Sequence, residues 1–202
     1  MSLKSNILRI FSANFLTMIS GIIIGFVVPA VLSVDSYAYL KTYTFYLSYI
    51  GLLHLGFIDG MYIKYGGKEL EFLDKREFKL EHRMFIIIQS IITIFFITLA
   101  LYKNDIIIFL FALSIVPINT VSFYKLFYQS IGKFKKYANI SYVYTLIYLI
   151  TNVLLAIVFR SKNYIGYCIT SILANGIVFL YLEYKFAIEF TKIKVKYDRK
   201  VW

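Results

Sequence analysis

Long apolar stretches constrain the fold of this chain more than any other feature of its sequence. A helix needs about 20 apolar residues to cross the hydrocarbon core of a bilayer. Six stretches come close to or exceed that length: residues 7–32, 37–65, 84–101, 106–128, 138–159 and 164–186. They lack the short alternating pattern of a membrane barrel. The sequence therefore predicts an all-α integral membrane protein, a bundle of about six transmembrane helices.

The composition agrees with a membrane environment. Hydrophobic residues make up 60% of the chain and charged residues 16%, whereas an ordinary soluble domain is about 45–50% apolar and about 25% charged. This excess of apolar surface requires a solvent other than water, so the lipid bilayer is the first predicted partner.

The basic residues are distributed unevenly between the connections. Only four of the 22 lysines and arginines lie near the short turns: Lys41, Lys103, Arg160 and Lys162. The others lie near the termini and the longer connections, and basic loops remain in the cytoplasm. We therefore predict cytoplasmic termini, a basic cytoplasmic loop over 66–83 and a basic cytoplasmic tail over 187–202. This orientation accounts for the net charge of +11, and no nucleic-acid partner is predicted.

Residue patterns typical of catalytic or metal sites do not occur. Cys168 is the only cysteine, and His54 and His82 are the only histidines and lie in different segments. Zinc-ligand spacing is therefore missing, as is a glycine–lysine loop for nucleotide phosphates. We predict that the chain is not an enzyme and has no metal or cofactor.

Polar side chains within the predicted spans are the candidates for function, because an ionisable group in lipid generally faces a cavity or a partner. For Asp59 we consider three roles: an ion pair with Lys64 or a basic side chain from another helix, the handling of a substrate or ion, and exposure at the membrane interface. Two polar stripes have helical spacing: Asn119, Ser122, Lys125 and Gln129 on the fourth predicted helix, and Ser141, Thr145, Tyr148 and Asn152 on the fifth. They either face each other or line a wet cavity. Lys125 would attract a phosphate in such a cavity, or it extends to the cytoplasmic surface.

Small residues recur every four positions on the first predicted helix. They are Ala13, Thr17, Gly21 and Gly25. Small residues at this spacing allow two helix backbones to approach closely. We expect this stripe to be a packing seam.

Residues 54–67 have the sequence HLGFIDGMYIKYGG. This combination of a glycine pair, the aspartate Asp59 and an aromatic–basic ending resembles the end of the second helix in O-antigen and capsule flippases of the Wzx type. Those flippases belong to the superfamily of multidrug, oligosaccharidyl-lipid and polysaccharide exporters. The opening residues 6–29 and the basic loop after the second helix are also similar to the family.

The resemblance implies a function that composition does not show. Such proteins move an undecaprenyl-diphosphate-linked oligosaccharide across the bacterial cytoplasmic membrane during surface polysaccharide synthesis. Their cavity is cationic and lies between two bundles of six helices, which makes this chain similar to the amino-terminal half and implies a second half or a second copy. The candidates for the substrate or ion path are Arg9, Lys41, Asp59, Lys64, Asn119, Lys125, Gln129 and Asn152. The alternatives are an ion-coupled small-molecule antiporter of the same superfamily and a non-transporting membrane scaffold subunit.

Overall fold

The computed structural model describes residues 3–69 and 73–190, and the regular elements in these ranges are all helical. The α-helices are α1 (Leu3–Val27), α2 (Val34–Ser48), α3 (Phe57–Tyr65), α4 (Lys75–Lys103), α5 (Ile106–Ser130), α6 (Phe134–Val153) and α7 (Tyr164–Phe190). A 3₁₀ turn, Ile50–His54, connects α2 to α3, and a π-helical turn, Leu154–Val158, extends α6. Five helices are long and apolar enough to cross a membrane: α1, α4, α5, extended α6 and α7. The fold is that of an all-helical, multi-pass membrane protein.

The second predicted helix, over residues 37–65, is not continuous, and the prediction was wrong in this respect. Leu55 and Gly56 both have positive φ angles, of 51° and 75°. A right-handed helix cannot continue through two left-handed residues. Gly56 adopts this conformation without a steric cost, whereas Leu55 requires support from its surroundings. The segment from α2 to α3 therefore consists of two short helices separated by a break.

The fourth α-helix begins earlier than the predicted start at residue 84. Asp74 caps it, because its Oδ1 accepts hydrogen bonds from the backbone N–H groups of Arg76 at 2.8 Å and Glu77 at 3.3 Å. The second half of the predicted loop 66–83 is thus helical, and residues 70–72 of that loop lie outside the described residues. At 29 residues, α4 is about 43 Å long and exceeds the hydrocarbon core of about 30 Å.

Most of the other helix ends lie within a few residues of the predicted ends. The first helix ends at Val27, five residues before the predicted end at Leu32, and the last extends to Phe190 rather than 186. The fourth and fifth predicted helices correspond to α5 and extended α6. Residues 191–202 of the predicted basic tail lie outside the described residues.

The fifth α-helix is the centre of the bundle. It packs against α2, α3, α4, α6 and α7, whereas α1 packs chiefly against α6. An aromatic cluster joins α3, α4 and α5, in which the Phe78 ring stacks on Phe127 with a centroid distance of 4.1 Å and Tyr65 meets both rings edge-on. These rings supply large apolar contact area near one end of the bundle.

The glycines of α1 do not form the predicted packing seam within this chain. Gly21 and Gly25 are exposed, and a Cβ placed on either would have no neighbour within 4 Å. Ala13 of the same stripe is buried, as is Ser20 seven residues further on, and Thr17 shares a hydrogen bond with Thr145 on α6. The first two members of the predicted stripe, Ala13 and Thr17, therefore lie on the packed side of α1, whereas its two glycines pack against no described residue.

Candidate functional site

Two buried amide side chains form hydrogen bonds with the backbone that connects α2 to α3. Asn119 on α5 donates one hydrogen bond to the carbonyl oxygen of Ile50 at 3.2 Å and another to Oε1 of Gln89 at 2.7 Å. Gln89 on α4 in turn donates to the carbonyl oxygen of Leu53 at 3.1 Å. A break in a membrane helix leaves carbonyl groups without helical partners, and such groups persist only where protein or water satisfies them. Gln89 and Asn119 bind two carbonyl oxygens of this connection, those of Leu53 and Ile50.

The two predicted polar stripes contact other helices through their buried members. Thr145 on α6 shares a hydrogen bond of 2.9 Å with Thr17 on α1. Asn152 donates to the Thr170 hydroxyl on α7 at 2.9 Å and to the carbonyl oxygen of Tyr148 at 2.7 Å. These two residues and Asn119 therefore tie α5 and α6 to α4, α1 and α7. Gln129, also predicted from the stripe on α5, is half-buried.

Lys125 lies near the junction of α5, α6 and α1. Its Nζ is 5.0 Å from the centroid of the Tyr137 ring on α6, and the Tyr137 hydroxyl donates a long hydrogen bond of 3.5 Å to Oδ1 of Asn14 on α1. Lys125 is half-buried and Asn14 is exposed. The ammonium thus sits over an aromatic face, an arrangement that leaves its N–H groups able to donate to an anion.

The other ionisable candidates on the first two predicted spans are exposed or half-buried. The Asp59 side chain on α3 is 69% exposed, and its Oδ2 lies 3.8 Å from Nδ1 of His54. Lys41 on α2 is exposed and lies over the Tyr37 ring at 5.1 Å. Arg9 on α1 is half-buried. Asp59 and Lys64 do not form the ion pair that the sequence suggested, because Lys64 is paired elsewhere.

Lys64 belongs to an ionic cluster between α3 and α4. Its Nζ donates to Oε1 of Glu77 at 2.7 Å and also to Oε1 of Glu81. The Tyr65 hydroxyl donates to Oε2 of Glu81 at 2.7 Å. Glu81 therefore accepts from two donors on α3 and links the end of the broken second segment to α4.

A second polar cluster, which the sequence analysis did not identify, joins α4, α5 and α7. Nε2 of His82 lies 2.9 Å from Oε1 of Glu183 and 3.0 Å from the Tyr124 hydroxyl, which itself donates to Oε1 of Glu183 at 3.0 Å. His82 is buried at 5% exposure. The sequence feature that could have indicated this cluster is Glu183, the one acidic residue in the last predicted span.

The described residues hold no group of three or more histidine, cysteine, aspartate or glutamate side chains arranged to bind a metal ion. Cys168 is buried in the apolar cluster around Tyr43, Ile107 and Ile115. Its surroundings are those of a packing residue.

Comparisons with known proteins identify no relative. Neither a protein-family model, a curated protein nor a solved structure matches the chain.

Proposed function

We propose that this chain is one bundle of a lipid-linked oligosaccharide flippase in a bacterial cytoplasmic membrane. It crosses the bilayer six times, with the broken α2–α3 segment as the second crossing and both termini in the cytoplasm. Together with a second bundle, which is another half or another copy of the chain, it moves an undecaprenyl-diphosphate-linked oligosaccharide to the outer leaflet.

The exposure of Asp59 carries this proposal. Asp59 precedes the end of α3 at Tyr65 by six residues, which is about 9 Å along the helix. A carboxylate that is 69% exposed at this depth cannot face hydrocarbon without a large cost in free energy. The surface around Asp59 therefore faces a water-filled cavity or a second protein bundle, and a flippase built from two bundles provides both.

The break before Asp59 supports a transport function. Transporters commonly bind substrates and ions where a transmembrane helix is interrupted. Here the interruption at Leu55 and Gly56 lies directly before α3, and the segment that follows carries the residues on which the flippase resemblance rests. The buried pair Gln89 and Asn119 keeps this interruption in place.

Among the basic candidates, Lys125 is best placed to meet a diphosphate. Within the described part of the chain no carboxylate lies within 4 Å of its Nζ, whereas Lys64 is paired with both Glu77 and Glu81. An ammonium that carries no carboxylate partner retains its affinity for a phosphate group.

The experiment is a gene replacement in the source bacterium. Deletion of the gene is expected to abolish surface polysaccharide and to accumulate lipid-linked oligosaccharide on the cytoplasmic leaflet, and the wild-type gene restores export. Asp59→Asn and Lys125→Met are expected to reduce export at unchanged protein level. Asp35→Asn is the matched control, because Asp35 is an exposed carboxylate in the first turn of α2, near the turn between α1 and α2.

The alternative functions give different outcomes. Proton- or sodium-coupled dye efflux, together with a normal leaflet distribution of the oligosaccharide in the deletion strain, would indicate a small-molecule antiporter instead of a flippase. Normal export by both the Asp59 and the Lys125 variants, together with loss of export on deletion, would favour a scaffold subunit.

A further inference from the structure

An amphipathic groove lies between α6 and α7, apart from the surface that carries Asp59. Its volume is about 550 Å³, and its lining comes from the start of α6, the end of α7 and Tyr128 on α5. It opens at the end of the bundle that carries the basic connection between α5 and α6. Because basic connections remain in the cytoplasm, this is the end that lies at the cytoplasmic leaflet.

The floor of the groove is apolar. Ile140, Val178 and Leu182 line it and are 7%, 2% and 5% exposed. Val143 and Ile177 form its walls and are 48% and 50% exposed. This lining matches a hydrocarbon chain, since apolar surface in contact with water or polar groups is unfavourable.

The mouth of the groove is cationic. Nζ of Lys136 lies 4.7 Å from the centroid of the Tyr128 ring, and Nζ of Lys185 lies 5.4 Å from that of Tyr181. All four residues line the groove, and the described residues that line it include no carboxylate. Two ammonium groups at the edge of an apolar floor are complementary to an anionic headgroup on a hydrocarbon chain.

The groove lies between α6 and α7, which contact each other directly at another level of the bundle. The hydrogen bond between Asn152 and Thr170 joins α6 to α7. Val143, at the groove, precedes Asn152 by nine residues, which is about 14 Å along the helix. The groove lies between the two helices on the side of this bond that carries Val143.

We propose that this groove binds one anionic phospholipid from the cytoplasmic leaflet, with its phosphate between Lys136 and Lys185 and an acyl chain along the floor. Basic pockets between transmembrane helices on the cytoplasmic side are suited to anionic lipid headgroups. The volume of about 550 Å³ is within the range of small-molecule sites and accommodates a headgroup with the upper part of a chain. The proposal is independent of the flippase function.

The test is native mass spectrometry of the purified full chain in detergent with added lipid. Phosphatidylglycerol and phosphatidylcholine with identical dioleoyl chains are the two probes. We expect one phosphatidylglycerol to bind more tightly than phosphatidylcholine. Lys136→Gln combined with Lys185→Gln is expected to weaken phosphatidylglycerol binding about 30-fold, because each lysine near an anionic lipid contributes about a fivefold effect.

Two further variants separate the site from general surface charge. Lys133→Gln combined with Lys135→Gln removes the same charge from exposed positions that do not line the groove, and it is expected to leave binding nearly unchanged. Ile177→Trp fills the half-exposed wall without altering charge and is expected to weaken binding. Thermal unfolding temperatures equal to that of the wild type show that each variant is folded.

Three results would overturn the proposal. The first is equal binding of the two lipids, and the second is an equal loss in the Lys133 and Lys135 control. The third is a competitor that displaces bound phosphatidylglycerol more strongly than added phosphatidylglycerol does. Such competition by inorganic phosphate would show a simple anion site, and by undecaprenyl diphosphate a substrate site. Loss of binding in Ile177→Trp without loss in the control supports the proposal.

Discussion

The Nδ2 group of Asn119 on α5 donates a 2.7 Å hydrogen bond to Oε1 of Gln89 on α4, and both side chains also bond to the backbone of the break between α2 and α3. Gln89 is fully buried at 0% exposure and Asn119 is buried at 1%. Two amides from different helices therefore act as one unit that satisfies the carbonyl oxygens of Ile50 and Leu53. The broken second segment depends on this unit.

Asn119→Leu and Gln89→Leu are each expected to lower the free energy of unfolding by about 1–3 kcal/mol, because each removes the hydrogen bond between the two amides and one hydrogen bond from an amide to a backbone carbonyl in a buried site. The double variant is expected to lose less than the sum of the two, with a coupling of about 0.5–3 kcal/mol. Unfolding in mixed detergent micelles measures both quantities.

Thr120→Val is the matched control for these variants. Thr120 is fully buried on the same helix, and its hydroxyl has no hydrogen-bond partner among the described residues. The substitution conserves shape and removes no such bond, so we expect no loss of stability. Additive effects of the Gln89 and Asn119 substitutions would contradict the account of a single unit.

Glu81→Gln is expected to destabilise the protein more than Glu77→Gln. Both carboxylates bond to Lys64, but Glu81 also accepts from the Tyr65 hydroxyl and is 21% exposed, against 48% for Glu77. An exposed ion pair contributes about 0–1 kcal/mol, whereas a hydrogen bond to a charged group contributes about 1.5–3 kcal/mol. Thermal unfolding of the two variants at low and high salt checks the order, and equal effects would refute it.

Glu183→Leu is expected to lower the free energy of unfolding by about 1–3 kcal/mol, because it leaves His82 and the Tyr124 hydroxyl without their shared acceptor. Tyr124→Phe is expected to cost less, since the contact between His82 and Glu183 at 2.9 Å remains. Chemical unfolding of both variants measures this order. A larger effect of Tyr124→Phe would show that the hydroxyl, rather than the carboxylate, holds the cluster together.

Gly21→Ala and Gly25→Ala are expected to leave the free energy of unfolding unchanged or to raise it by up to about 1 kcal/mol, because alanine favours a helix and a Cβ meets no neighbour there. Ala13→Leu is the contrasting variant, because Ala13 is fully buried. It is expected to cost about 1–3 kcal/mol through overpacking. Unfolding curves of the purified variants in detergent distinguish the two faces of α1. A loss of stability in the glycine variants comparable to that of Ala13→Leu would contradict this assignment.

The length of the apolar stretches was sufficient to predict the helical fold, because a span of lipid leaves the backbone few other choices. The break at Leu55 and Gly56 was not predictable in this way. The helices on both sides of it are similarly modest in hydropathy, and the groups that stabilise it, Gln89 and Asn119, lie far away in sequence. Asn119 was singled out as part of a polar stripe, but its partners on α4 and in the connection between α2 and α3 depend on how the helices pack.

The contacts of the charged residues were likewise not predictable from the sequence. Asp59 and Lys64 lie close together in sequence and suggested an ion pair, yet Lys64 bonds to carboxylates on α4 and Asp59 remains exposed. The pairing of His82 with Glu183 joins residues 101 positions apart. Such contacts depend on how helices rotate about their axes, and the periodicity of a single helix does not determine this when most of its faces are apolar.

Single-cysteine labelling in intact cells tests most directly the central claim, which is that the chain crosses the bilayer six times with the broken segment as its second crossing. Cysteines are placed one at a time, in a Cys168→Ser background, at Asp35, Lys103 and Lys162 near the short turns and at Lys68 and Lys135 in the basic connections. A membrane-impermeant maleimide is expected to label the first three positions in intact cells and the last two only after lysis. Labelling of Asp35 and Lys68 from the same side would contradict the account, because it would mean that α2 and α3 do not cross the membrane.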